Sequence, residues 1–262
     1  MRDILNAVAA GDLSPAAAEA RLRGYATTGA GRFDAARETR RGVPEAILAE
    51  GKTPDEVATL AAAAVETTGR ALVTRADAET VAAVEAALPG EETIREERAR
   101  TLVVREPGFE PPDVNGTVCV VTGGTSDAAA AGEAAVVARE MGAAVEFIGD
   151  VGVAHLGRVV DHLDALRAAD ALVVAAGREG ALPTVVAGLV DAPVVGLPVP
   201  TGYGAGGEGE AALYGMLQSC TVLSVVNVGA GFVAGAQAGL IARAVAAARD
   251  GEDGGAGDVA EG

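Results

Sequence analysis

Three short stretches hold residue types that could act together in catalysis. The first is Gly123-Gly124-Thr125-Ser126-Asp127, directly after an apolar run. Two glycines let a backbone approach a ligand closely. Thr125 and Ser126 offer hydroxyls, a helix start beyond them offers free N–H groups to a phosphate, and Asp127 could hold a ribose hydroxyl. The same composition also suits an ordinary strand-to-helix turn capped by Ser or Asp. The second stretch is Gly177-Arg178-Glu179-Gly180. A carboxylate at Glu179, just past an apolar strand, would be partly desolvated and suit a general base; otherwise it opposes a helix dipole. The third is Cys220, in Leu217-Gln218-Ser219-Cys220-Thr221. Polar neighbours suit a reactive thiolate, although a free cysteine is more simply a small buried hydrophobe, as Cys119 inside an apolar run is read to be.

Other chemistries find no support. His155 and His162 have no metal-ligand spacing with the cysteines, and neither a Ser-His-Asp nor an HExxH pattern occurs. No Gly-Lys-Ser/Thr is present and Lys52 is remote, so there is no Walker A loop. Gly229, Gly231 and Gly235 miss a dinucleotide fingerprint by one spacer and read as a tight turn and helix packing.

The elements that must hold these stretches alternate regularly. Short apolar strands are expected at 117–122, 144–148, 171–176, 193–197 and 222–227, with helices between them and a last helix over 232–249. Buried strands alternating with helices mean a parallel sheet covered on both faces. The expected fold is therefore α/β, a three-layer flavodoxin-like sheet of order 2-1-3-4-5. Ligands bind such sheets beyond the carboxyl ends of the strands, at the switch point between the first and third. The GGTSD and GREG loops follow those two strands. Cys220 precedes the last strand and so belongs to the opposite end. A catalytic Cys220 would serve a neighbouring subunit's site and make a homo-oligomer obligatory.

Upstream, 1–105 reads as a smaller N-terminal α+β domain. It has two short helices broken at Gly11, a helix opened by Thr53-Pro54, a helix over 77–88, and strands near 43–48 and 71–74. The Pro- and Gly-rich stretch 106–116 reads as a linker, 117–250 as the catalytic domain, and the Gly- and acid-rich 251–262 as a disordered tail.

Of the 262 residues 50% are hydrophobic but only 3% aromatic, so Ala, Val, Leu and Gly must fill the core. The formal net charge of −17 argues against nucleic acid or an anionic membrane as partner. Lys52 is the only lysine among 20 basic residues. Excess acid with almost no lysine resembles the proteins of salt-loving organisms; the alternative is a codon bias towards Arg and Ala. Two cysteines make no disulfide framework, the N-terminus is too polar for a signal peptide, and no uninterrupted apolar run reaches the length of a membrane span. A reducing, cytoplasmic location is expected.

Taken together, the motifs resemble one family. VTGGTSD (121–127), DVGVA (150–154), VAAGREGALPTVVAGLVDAPVVGLP (174–198), GYG (202–204), MLQSC (216–220) and VVNVGAGF (225–232) are similar to pyridinium-3,5-biscarboxylic acid mononucleotide synthase, the carboxylase of nickel-pincer cofactor biosynthesis. The C-terminal half also resembles aminoimidazole ribonucleotide carboxylase. FDAARETRRGVPEAILAEGKT (33–53) fits the family's D-x-x-R-x-x-R-x-G-x-P-E pattern. Two stretches depart from it: the histidine after DVGV is displaced to His155, and Gly229-Ala230 stand where an Asp-Asn pair is usual.

The resemblance implies carboxylation of nicotinic acid adenine dinucleotide at ring carbon C5 with CO2 or bicarbonate. Hydrolysis of the phosphoanhydride then releases AMP. Cys220 would be the covalent nucleophile and Glu179 the base that removes the C5 proton. Gly123, Gly124, Thr125, Ser126, Asp127, Asp150, Gly180 and Gly204 would contact the substrate. No tightly bound cofactor is implied; Mg2+ could assist at the phosphoanhydride, with ligands unknown. The rivals are a purine-type carboxylase or mutase, which needs no cysteine, and a non-catalytic nucleotide-binding relative.

Overall fold

A computed structural model describes residues 2–255. The chain divides into two compact units, Met1–Glu110 and Pro111–Gly262, with the division inside the Pro- and Gly-rich stretch.

In the first unit, α1 (Arg2–Ala10) and α2 (Pro15–Arg23) are followed by a hairpin of β1 (Ala26–Thr28) and β2 (Gly31–Phe33). Ser14 caps α2 by accepting from the Ala17 N–H, with Pro15 at the first turn. After α3 (Arg37–Arg41) come β3 (Ala46–Leu48), α4 (Pro54–Thr68), β4 (Arg70–Thr74), α5 (Ala78–Ala87), β5 (Glu92–Glu96) and β6 (Thr101–Arg105). A reciprocal Thr53–Glu56 capping box starts α4. The four-stranded sheet has the order β3-β4-β6-β5 and is mixed, with β3 parallel to β4 and the other pairs antiparallel. The hairpin and strands β5 and β6 were not legible beforehand. β5 exposes four of its five residues and so carries no apolar signature.

The charged motif over 34–45 largely pairs with itself. Arg40 meets Asp34 at 2.6 Å and Arg37 meets Glu45 at 3.1 Å. Glu38 reaches the buried guanidinium of Arg70 at 2.7 Å.

In the second unit, β7 (Thr117–Thr122), α6 (Ala128–Glu140), β8 (Ala144–Ile148), α7 (Gly157–Val160), α8 (Leu163–Ala168), β9 (Ala171–Ala176), α9 (Ala181–Ala187), β10 (Val194–Pro198), α10 (Glu210–Leu217), β11 (Ser224–Val225) and α11 (Gly231–Gly255) succeed one another. The sheet order is β11-β10-β9-β7-β8, all parallel, which is the expected 2-1-3-4-5 order. Alternate residues of β7 serve opposite layers. Val118 and Val120 face α6 and α11, while Cys119 and Val121 join the core under α9 and α10. Burial in that core, with Glu146 nearby, pushes the Cys119 thiol up to about 12, which makes it an inert packing group.

α11 lies against α6, and Gly231 and Gly235 allow the close approach. A Cβ at Gly235 would collide with the Ala134 carbonyl, and one at Gly231 with that of Ala130. The glycine cluster is thus a packing device, as its spacing suggested. By length and composition Gly231–Asp250 could cross a membrane, but 44% of it is buried within the fold as a core helix. Arg249 near its end makes two 2.9 Å bonds to buried Asp170, which also accepts from Thr117 at the base of β7.

Two boundaries differ from expectation. β11 has only two residues, and Val222 is 95% exposed rather than in a strand. α11 continues to Gly255, so the tail expected from 251 begins as helix. Residues 256–262 of that tail lie outside the described residues.

Candidate active site

A cavity of about 500 Å³ opens at the carboxyl ends of the parallel strands. Its walls are the loops after β7, β8, β9 and β10, and the β7 and β9 loops meet at the switch point. The volume suits a small-molecule ligand.

Buried Asp127 organises the site. It is 6% exposed, its Oδ2 accepts the Gly124 N–H at 2.8 Å, and its Oδ1 accepts the Thr201 hydroxyl at 2.8 Å. Burial raises its pKa, and the bonds from Thr201 and Gly124 pull partly the other way. Both oxygens are engaged within the protein. Asp127 therefore clamps the β7 loop to the β10 loop, while it remains on the wall of the cavity, where the sequence suggested a ribose contact. Ser126 stays exposed at the cavity wall, in a single 3-10 turn that leads into α6.

Thr201 continues the chain of contacts, because its carbonyl accepts the Arg178 N–H at 3.0 Å. Arg178 has φ of +54°, uncommon for a residue with a Cβ. Its guanidinium lies 4.3 Å over the Tyr203 ring. Glu179 follows at the cavity wall and is exposed, so the desolvation expected of it is absent within one chain. The turn after β9 carries it out of the buried strand. Gly180, with φ of +65°, then starts α9 against the Ala212 carbonyl, where a Cβ would come within 2.5 Å.

Of the residues singled out from sequence, Gly123, Gly124, Ser126, Asp127 and Glu179 come together at the cavity. Thr125 faces solvent on the same turn. Asp150 is turned towards Arg158, 3.6 Å away, and Gly204 lies further along the β10 loop. Neither these nor Gly180 lines the cavity. Cys220 does not line it either and is exposed. Its flanking residues are tied down, since Ser219 Oγ accepts the Thr184 hydroxyl at 2.9 Å and contacts Thr221 Oγ1 at 2.8 Å. The bend therefore presents Cys220 outwards.

Sequence reasoning missed Arg178, Thr201 and Tyr203 as cavity residues. Arg178 stood beside Glu179 and Tyr203 inside the GYG motif, so both had a positional signal. Thr201 had none, because its role depends on a residue 74 positions away. Among the described residues no group of three or more His, Cys, Asp or Glu could hold a metal ion.

A parallel sheet of this order with a cavity at its switch point defines a doubly wound α/β scaffold with a ligand-sized site. Residues 117–253 match the AIR carboxylase family, and residues 25–106 match the LarB/PurE-like N-terminal domain. The chain belongs to the AIR carboxylase family, in the form that carries a LarB/PurE-like N-terminal domain, and with it has a carboxylase-related function. An uncharacterized protein of Methanocaldococcus jannaschii is 36% identical over 218 residues, 81% of this chain and 84% of that protein. Two Treponema denticola structures, a PurE2 variant and PurE, are similar at 22% and 20% identity. Each covers 55% of this chain, spans 98% and 99% of its own, and has a TM-score of 0.38.

Proposed function

We propose that this protein carboxylates nicotinic acid adenine dinucleotide at pyridinium C5 with CO2 or bicarbonate and hydrolyses the phosphoanhydride, releasing AMP and pyridinium-3,5-biscarboxylic acid mononucleotide for nickel-pincer cofactor biosynthesis. The observation that carries this reading is the pairing of a LarB/PurE-like N-terminal domain with an AIR carboxylase domain in one chain that also holds Cys220 and Glu179.

The chemistry explains why both residues are needed. A pyridinium carbon is electron-poor and does not attack CO2. Addition of the Cys220 thiolate at C4 gives a neutral dihydropyridine whose C5 is enamine-like and nucleophilic. C5 attacks CO2, Glu179 takes the C5 proton, and departure of the thiolate restores the aromatic cation. The ring has then exchanged a proton for a carboxylate. The start of α6, with Ser126, is suited to the phosphates. Mg2+ enters only as a companion of the substrate's phosphates, and no step here runs through it.

Cys220 lies off the cavity of its own chain, and on this reading it reaches the ring from another copy. Tyr214, Leu217 and Val222, its neighbours in sequence, are exposed and offer apolar surface that a second subunit would cover. The active form is therefore a cytoplasmic homo-oligomer with sites at subunit interfaces, acting on a dinucleotide and not on nucleic acid or membranes.

The test is mass spectrometry of products formed in high salt from nicotinic acid adenine dinucleotide, Mg2+ and labelled bicarbonate. AMP with a labelled biscarboxylated mononucleotide is expected. Turnover of an aminoimidazole ribonucleotide instead would assign the purine-type reaction, and turnover of neither would leave a nucleotide-binding protein.

A further inference from the structure

Arg178 is the single cation among the described residues that line the cavity, where Asp127 and Glu179 are the anions. In a chain of net charge −17, that is a conspicuous place for a positive group. Arg158 and Arg249 are paired with carboxylates, at 3.6 and 2.9 Å. Among the described residues Arg178 has no carboxylate partner. It rests instead on the Tyr203 ring. Stacking on an aromatic face fixes the guanidinium plane and leaves its N–H edge available for a planar anion.

The backbone beneath it is equally determined. The left-handed φ of Arg178 is held by its N–H bond to Thr201, and Thr201 is held by Asp127. Sparsely populated backbone conformations that the surroundings over-determine cluster at ligand sites. Arg178 also immediately precedes Glu179, so the two enter the cavity from one turn.

From this geometry we infer that Arg178, oriented by Tyr203, reads the carboxylate of the substrate's pyridine ring and makes the protein select the acid over the carboxamide. The inference rests on the dinucleotide reading above and adds the residue that sets its ring specificity. A guanidinium offers two parallel N–H groups to a carboxylate. Against a carboxamide the same edge faces a neutral group and an N–H2, and the ionic contact is lost. On the same reading the phosphates go to the start of α6, which leaves the arginine to the ring.

The experiment measures dissociation constants for nicotinic acid adenine dinucleotide and nicotinamide adenine dinucleotide, in high salt, on the full chain, with carboxylation assayed in parallel. Wild-type protein is expected to prefer the acid. Arg178→Gln should weaken the acid by about tenfold or more while the amide changes little, so the preference collapses. Arg178→Lys should keep part of it, because a point charge replaces a fork. Tyr203→Leu should lower it with the arginine still present. Equal weakening of both dinucleotides by Arg178→Gln would assign the residue to phosphate and overturn the inference, as would no change in either. Wild-type protein that discriminates without forming product would remove the proposed reaction yet keep this recognition. Wild-type protein that binds neither dinucleotide removes both.

Discussion

Asp127 closes the turn between β7 and α6 on the wall of the cavity, and its two oxygens bond Gly124 and Thr201. Its titration should report that burial. The native pKa is raised above the ordinary value of 3.8, so the folded state holds the proton more tightly than the unfolded chain. The contribution of this group to stability is then fullest below about 3.8 and is lost as pH rises through the native value. Asp127→Asn removes that dependence. Urea unfolding of both proteins should show the wild type losing stability relative to the variant as pH rises from 4 towards 7. A constant difference across that range would mean that the carboxylate is not desolvated in solution.

The site depends on elements that nothing in the loops themselves can fix. β7 and β9 are adjacent, so the GGTSD and GREG loops are neighbours although about fifty residues separate them. Their spacing is set from behind by α6 and α11, which pack through small residues. Gly235→Leu should therefore destabilise the second unit by about 3 kcal/mol, since the Cβ meets the Ala134 carbonyl, a backbone atom of a buried helix that cannot turn aside. The midpoint of urea unfolding measures this. Gly235→Ala should do less harm. A leucine variant as stable as the parent would mean that the helices are not in contact at that point.

At the scale of the whole molecule, one chain keeps the two proposed catalytic groups apart. Glu179 is at the cavity and Cys220 is on the outer side of the α10–β11 bend. If the thiolate comes from a second copy, Cys220→Ala and Glu179→Gln chains should each be inactive alone and partly active together. Random pairing in a closed symmetric assembly leaves about a quarter of the sites with both groups intact. Co-expression of the two variants and assay of labelled carboxylation checks this. Activity no higher than that of the separate variants would place Cys220 and Glu179 on the same chain, and would require the bend to move. The acidic surface bears on such assembly, since like-charged copies repel one another less when salt shortens the screening length.

Much of this was settled by local pattern. The five strands of the second unit, their alternation with helices and the loops after β7 and β9 follow from apolar runs and glycine-rich turns. Each is a property of neighbouring residues, whereas the expected strand order is that of a common doubly wound arrangement. Thr53-Pro54 and Ser14-Pro15 likewise announced their helices, because caps are chemistry within four residues. What tertiary structure alone decided is of another kind. β5 is a strand only because β6 pairs with it, for its own residues are polar and exposed. Asp127 clamps two loops together because Thr201 arrives from the loop after β10. Arg178 is a candidate reader of the substrate because Tyr203 comes under it from the β10 loop. The exposure of Glu179 and Cys220 is decided by folding too, since a residue's type states what it can do but only its neighbours state whether water surrounds it while it does so.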